Sequence, residues 1–363
     1  MKKRLRRCFP WTMLVIAWSF GLAFQSCIGD SLEDCQDPYI EDIARTLRVY
    51  FDYEESSTVS NSADSLAIER GVRQLNMEAV SQVDLYVFNA ETGLFVDKYT
   101  DLQPRLMQKS IYYMSLSLLP GRYRFVAWGG LQRSDFAVAP VTPVKQGSHF
   151  NDFSVNYLFQ GDTVTAGIGN LYYGILNDVE VAIPSRAAAD YDSLRINIRQ
   201  DTYTFNIRLA GTAVTRQFGS NTELTDDVFE AVIVDNNSFY NFNNRPVGAP
   251  TYCYKSSFVP GNDLAPEWNT SRTTLLVDED RRPVLKFYRN GQPWQINEME
   301  EGIDLVRVLQ NYASGRLKLD FSVMYVFNIK FTINGNPNDA SSLAVSLDIG
   351  DWHHAIKDSE LFM

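Results

Sequence analysis

The chain has 363 residues, enough for two domains at roughly 100–200 residues each. Hydrophobic residues make up 45% and charged residues 21%, which excludes a disordered, collagen-like or coiled-coil chain. A formal charge of −11 with no basic patch argues against a nucleic-acid partner.

Aromatics reach 13%, led by 22 Phe and 19 Tyr, a bias toward strands. Three His and four Cys leave little material for a transition-metal site.

Residues 1–26 read as a secretory signal peptide. Lys2, Lys3, Arg4, Arg6 and Arg7 form a basic start, and Phe9 to Phe24 follows without a charge. That stretch is shorter than the about 20 apolar residues a membrane span needs, and Pro10, Thr12, Ser19 and Gly21 interrupt it. It ends Ser26-Cys27, a small residue directly before Cys, which resembles a bacterial lipobox. Phe24 and Gln25 depart from the Leu-small-small pattern, so ordinary cleavage with an incidental Cys27 stays open beside lipidation. Lipidation is the favoured reading, with residues 27–45 as an acidic, lipidated tether. Cleavage removes five cations and no acid, taking the charge from −11 to −16. Such a chain cannot hold an anionic bilayer by charge, so attachment falls to acyl chains, each worth about 0.8 kcal/mol per buried methylene.

Further along, Leu47, Val49, Phe51 and Tyr53 alternate with Arg48, Tyr50 and Asp52, the period of a half-buried strand. Residues 54–65 are Ser-rich and predict a loop, and 66–82 fit a short helix as well as anything else. Strands are predicted at 83–88 and 94–96 around the turn Glu91-Thr92-Gly93, at 111–118, at 123–128 and at 179–183. Pro120-Gly121 and Gly129-Gly130 punctuate them. In 123–128, Phe125 and Ala127 share one face and Val126 and Trp128 the other, so one set should meet the core. Turns every 8–12 residues suggest a β-sandwich.

Residues 184–190 have the composition of a linker. Beyond it, strands are predicted at 194–198, 203–209, 229–234, 275–277, 284–288, 317–321, 324–333 and 343–349. Residues 236–272 predict a long connection and 303–311 a short helix. The predicted architecture is all-β: an N-terminal sandwich over 46–185 and a C-terminal one over 190–363.

Catalytic and cofactor motifs do not accumulate. There is no His-Glu-x-x-His and no Gly-x-Ser-x-Gly. Gly167-Ile168-Gly169 has Tyr172 where a dinucleotide fingerprint needs its third Gly. His353-His354 are adjacent, and neighbours on a strand point to opposite faces. His149 is isolated. Asp226-Asp227 and Asp278-Glu279-Asp280 lack calcium-loop spacing. Cys35 and Cys253 outlast the signal; export permits a disulfide, but two unpaired thiols are the favoured reading. The expectation is a protein that is not an enzyme and needs no cofactor.

Several segments together resemble the FimB-like fimbrial anchor subunit family, lipoproteins of Bacteroidetes type V pili. They are the Cys27 signal with Cys35 soon after, Leu47 to Tyr53, Val83 to Phe88 with Gly93 to Val96, Leu119-Pro120-Gly121-Arg122-Tyr123-Arg124-Phe125-Val126-Ala127-Trp128-Gly129-Gly130-Leu131, Leu171 to Gly174, and Ile349 to Trp352. The resemblance implies two tandem transthyretin-like Greek-key β-sandwich domains. It also implies an outer-membrane lipid on Cys27 and pilin (fimbrial shaft) subunits as partners, at the pilus base. A stalk or tip subunit of the same pilus, a surface glycan-binding lipoprotein and a secreted hydrolase are the alternatives.

Overall fold

The computed structural model describes residues 45–62, 65–74, 80, 82–102, 112–131, 135–159, 161–182, 192–210, 228–247, 250–260, 268–275, 277, 281–294, 302–313, 321, 325–333, 343–349 and 352–356. Its elements in chain order begin with β1 (Arg45–Ser62), β2 (Ser65–Gln74), β3 (Val83–Asn89), β4 (Phe95–Asp101), β5 (Tyr113–Leu118) and β6 (Gly121–Gly129). Next come β7 (Phe136–Ala139), β8 (Ser154–Tyr157), β9 (Thr163–Val164), β10 (Tyr172–Val181), β11 (Asp192–Gln200) and β12 (Thr202–Ala210). They are followed by β13 (Phe229–Asp235), β14 (Phe239–Asn241), β15 (Tyr252–Ser257), β16 (Val259–Pro260) and β17 (Trp268–Leu275). The chain closes with β18 (Val284–Arg289), β19 (Gln292–Pro293), β20 (Ile303–Asp304), helix α1 (Leu305–Ala313), β21 (Val326–Ile333), β22 (Leu343–Ile349) and β23 (Trp352–Ile356). The protein is all-β, as the composition predicts, and α1 lies where the sequence pattern places a short helix.

The first sheet has eight strands in the order β2-β1-β11-β10-β6-β3-β4, with β5 also on β1. It curls over an inner core, rich in aliphatic residues, in which Leu47, Val49, Phe51, Leu85, Val87, Leu116, Phe125 and Ile196 are buried. The predicted alternation in β1 holds here: Leu47, Val49 and Phe51 are buried while Arg48, Tyr50 and Asp52 are half-exposed.

In β6, however, both faces meet a core. Phe125 and Ala127 belong to the inner core. Val126 and Trp128 are equally buried on the outer face, together with Tyr86, Phe88 and Tyr173. A strand covered on both sides reads as a continuous apolar run, which is what Phe125 to Trp128 is. The strand stops at Gly130, where φ is +91° and a Cβ would lie 2.2 Å from the Asn170 carbonyl oxygen.

A second sheet, β16-β17-β12-β21-β22-β23, and a third, β19-β18-β13-β15-β9 with β20 on β18, make up most of the remaining chain. They meet through Phe205, Leu209, Phe327 and Phe331 from one and Phe229, Ile233, Leu285 and Phe287 from the other. The Phe287 and Phe331 rings are 5.5 Å apart. A small sheet, β14-β8-β7, lies against the outer face of the first sheet. Phe242, just past β14, carries that contact. Its ring lies 5.0 Å from both Tyr86 and Phe153, 6.1 Å from Phe88 and 6.2 Å from Trp128.

Several predicted elements differ. β1 runs on through Ser62 and pairs with β2, where a loop and a possible helix were expected. Residues 236–272 hold four strands rather than one connection. β11, expected in the second sandwich, pairs parallel with β1 and antiparallel with β10 in the first sheet. Two strands from the first half, β8 and β9, pair with β14 and β15 from the second. The predicted linker at 184–190 and strand at 317–321 lie outside the described residues, apart from Phe321.

Candidate functional site

Cys27, the predicted lipidation site, lies outside the described residues, as do Cys35 and both acidic clusters. Among the described residues no helix is long and apolar enough to cross a membrane, and no three His, Cys, Asp or Glu side chains converge as a metal site. Cys253 is a free, partly buried thiol on β15. His353 and His354 occupy consecutive positions of β23, opposite Asp348 and Leu347.

His149 has a structural assignment. Its Nδ1 accepts from the Asn151 amide at 3.2 Å, and its own amide donates to Asp152 Oδ2 at 2.8 Å. The imidazole lies where a Cβ at Gly93 would have to go, 2.4 Å from Nε2. With φ at +71°, Gly93 is the residue type that position requires.

What the fold offers for recognition is strand edge. β4 ends the first sheet on one side, and β5 pairs only with β1 on the other. The curl of the sheet brings these two edges together. Tyr99 of β4 donates its hydroxyl to the Ser117 carbonyl of β5 at 3.2 Å, and the Tyr112 hydroxyl donates to Asp101 Oδ2 at 3.0 Å. The seam is therefore stapled by side chains, while the described strands form no main-chain ladder across it. The start of β4 is covered, because Phe95 exchanges main-chain bonds with Gln146 and Ser148 at 2.8 Å each. From Asp97 to Asp101 no further described strand pairs with this edge. Lys98 and its flanking acids are the kind of charged edge that discourages indiscriminate pairing.

The joint between the first sheet and the rest is electrostatically unusual. Asp201 is the single residue between β11 and β12, hence between two sheets. It is fully buried, with Arg199 Nε at 3.3 Å from Oδ1. Burial pushes its carboxyl up from 3.8 to about 6, against the opposing pull of Arg199 and Asn244. Arg272 on β17 is also buried, and it ties the second sheet to the chain at and after β9, a strand of the third sheet. Its guanidinium donates to the carbonyls of Val164, Thr165 and Ala166 at 2.5, 2.9 and 2.7 Å. Desolvation lowers its pKa, and three carbonyl dipoles stand in for a carboxylate. Neither residue follows from the pattern of the sequence. The one available signal for Arg272 was the run Thr270, Arg272, Thr274, a period-two face made of polar residues.

The family of fimbrillin-A associated anchor proteins Mfa1 and Mfa2 matches residues 32–358. No curated protein matches the chain. Among solved structures, a candidate polysaccharide-binding protein from Bacteroides thetaiotaomicron is similar with a TM-score of 0.61 and 19% identity, over 87% of this chain and 99% of that one. A candidate adhesin from Bacteroides ovatus has a TM-score of 0.61 and 18% identity, over 86% of this chain and 95% of that one. The fimbrial anchor protein Mfa2 from Porphyromonas gingivalis has a TM-score of 0.58 and 15% identity, over 85% and 98% of the two chains. At these identities the structures speak for the fold, and the family match speaks for kinship. The chain, whose motifs already resembled a pilus anchor family, belongs to the fimbrillin-A associated anchor proteins, a structural family of the fimbrium and not an enzyme family.

Proposed function

We propose that the protein is the base subunit of a type V pilus, held in the outer membrane by lipid on Cys27 and joined to the first shaft pilin by strand addition. The observation that carries this reading is the family match over residues 32–358 directly downstream of Ser26-Cys27. The match supplies the pilus and the lipobox-like stretch supplies the membrane. The β4–β5 seam is the acceptor that suits an added strand best. Main-chain bonds along an open edge give affinity, and alternate side chains give register. Ser117 presents its carbonyl to that seam, and Ser115, two residues away on β5, shares its orientation.

The test of anchoring is fractionation of cells expressing Cys27→Ala, probed for this protein and for the pilin. Shedding of both into the medium is expected. Unchanged outer-membrane retention with normal pili would refute the lipid anchor. Strand addition is tested by proline at Ser115 or Ser117. Proline there spares the bonds to β1 and removes an outward N–H. Pilin capture should be lost while thermal unfolding stays close to that of the parent; full capture by both variants would exclude this seam.

A further inference from the structure

A groove of about 640 Å³ opens on the outer face of the first sheet, within the ~300–1,000 Å³ range of small-ligand sites. Its walls are mostly polar, with Ile175 and Ile198 set among the polar side chains. Tyr173 and Asn177 come from β10, Asn197 and Arg199 from β11, and Asn243 and Arg245 from the loop after β14. The groove lies where a ladder opens. β10 and β11 pair only from Tyr172↔Gln200 to Gly174↔Ile198. Beyond that, β10 pairs with β6 and β11 with β1.

The loop is held rigidly. The Asn241 side-chain oxygen accepts from the amides of Asn243 and Arg245, both at 3.0 Å. The Asn241 amide donates to the Arg245 carbonyl at 3.0 Å. Tyr173 donates its hydroxyl to the Phe242 carbonyl at 3.0 Å, tying the loop to the sheet. Arg245 and Asn243 are thus presented from a fixed backbone, as a binding site requires.

The walls are also uncommitted. Among the described residues, the side-chain amides of Asn177, Asn197 and Asn243 and the guanidinium of Arg245 have no hydrogen-bond or ion-pair partner. The nearby carboxylates are already engaged, Asp178 by Arg122 and Asp201 by Arg199. In a chain of net charge −11, this leaves a local excess of positive charge with no ion-pair partner for Arg245 among the described residues.

We infer that this groove binds an acidic saccharide, a sugar chain bearing carboxylates. The chemistry sets the class. A guanidinium fork matches a carboxylate bidentately. A primary amide offers a donor and an acceptor side by side, which suits neighbouring hydroxyls. Ile175 and Ile198 between the polar side chains can meet the apolar face of a sugar ring, while the polar majority of the wall suits a hydroxyl-rich ligand better than a lipid. This site is separate from the β4–β5 seam and goes beyond the anchor reading, which stands or falls without it.

The test is titration calorimetry on the full chain in detergent. The probes are tetragalacturonic acid and sialyllactose, each against its methyl ester, with tetraglutamate as an acidic peptide. At least one acid should bind saturably, with its ester at least ten-fold weaker and tetraglutamate showing no saturable binding. Arg245→Ala should weaken binding at least ten-fold with unchanged thermal unfolding, and Asn243→Ala should weaken it less. Absence of saturable binding by both acids would overturn the inference. So would equal binding of tetraglutamate, which would mean charge alone, or undiminished binding by Arg245→Ala.

Discussion

The two faces of the first sheet are buried to the same depth by different means. The inner face closes mainly on Val, Leu and Ile from strands of its own sheet, such as Val83, Leu85 and Val87 of β3, with fewer rings, Phe51 and Phe125 among them. The outer face closes on aromatic rings from the segments around the small sheet: Phe242 among Tyr86, Phe88 and Trp128, and Phe150 and Phe153 on Phe88. A core made mainly of aliphatic side chains tolerates volume-conserving swaps. A joint of edge-to-face rings and directed hydrogen bonds fixes one orientation. The first face makes the sheet, and the second fixes what the sheet is attached to.

The sharpest way to break this contrast is Phe242→Ala. Truncating a fully buried Phe costs about 3–5 kcal/mol. Denaturant unfolding should show that loss, and hydrogen exchange should show loop 241–245 losing protection before β3 or β6. Leu85→Ala on the inner face should cost about 2–5 kcal/mol without selective loss in that loop. If both variants exchange alike, the joint and the inner core are one cooperative unit.

Asp201 offers a pH test. Its folded-state pKa is raised, from 3.8 to about 6, so the fold binds the proton more tightly than the unfolded chain does. Its favourable contribution is complete below about pH 3.8 and is lost as pH rises through about 6. Roughly 1.4 kcal/mol per unit makes this an effect of a few kcal/mol. Asp201→Asn should therefore gain stability over the parent at pH 7 and lose that advantage near pH 4. The difference between the two proteins cancels the other carboxylates. A difference that does not change with pH would show that Asp201 titrates normally.

Arg272 comes next in size. Arg272→Ala strands three carbonyls, and losing hydrogen bonds to a charged group costs about 1.5–3 kcal/mol. Arg272→Lys should recover little, because one ammonium cannot fork across residues 164–166; full recovery in thermal unfolding would mean that charge alone matters. Smallest of all is Arg195→Ala. Arg195 meets Asp52 at 2.9 and 3.1 Å, but on an exposed surface such a pair is worth under about 1 kcal/mol, and denaturant midpoints should barely move.

The same contrast explains what the sequence could and could not disclose. Inner-face strands such as Leu47 to Phe51 announce themselves by alternation, and the punctuation at Gly93 and Gly129-Gly130 marks their ends. β17 escaped notice because its buried positions are Thr270, Arg272 and Thr274, polar residues that no hydrophobic pattern reveals. β1 beyond Asp52 and β2 were missed because a polar stretch that pairs through its backbone leaves no periodic trace. The place of β11 depends on a parallel partner about 145 residues away, and parallel pairing carries no hairpin turn to signal it. The groove and the joint gather residues from 164 to 272, so their chemistry exists only once the chain is folded.

Arg45 opens the described chain on β1, and β1 is gripped from both sides. Residues Leu47 to Tyr53 run parallel to Asp192 to Ile198, and Arg45 to Tyr50 run antiparallel to Tyr113 to Leu118. A pull on the chain preceding Arg45 acts along the strand axis. The two ladders then bear the load together, in shear, rather than opening rung by rung as a peeled hairpin would. The route of that tension leads from β1 sideways into β11 and on through Asp201 into the second sheet. A pull entering at the first described strand is thus spread over two ladders before it reaches the body of the molecule.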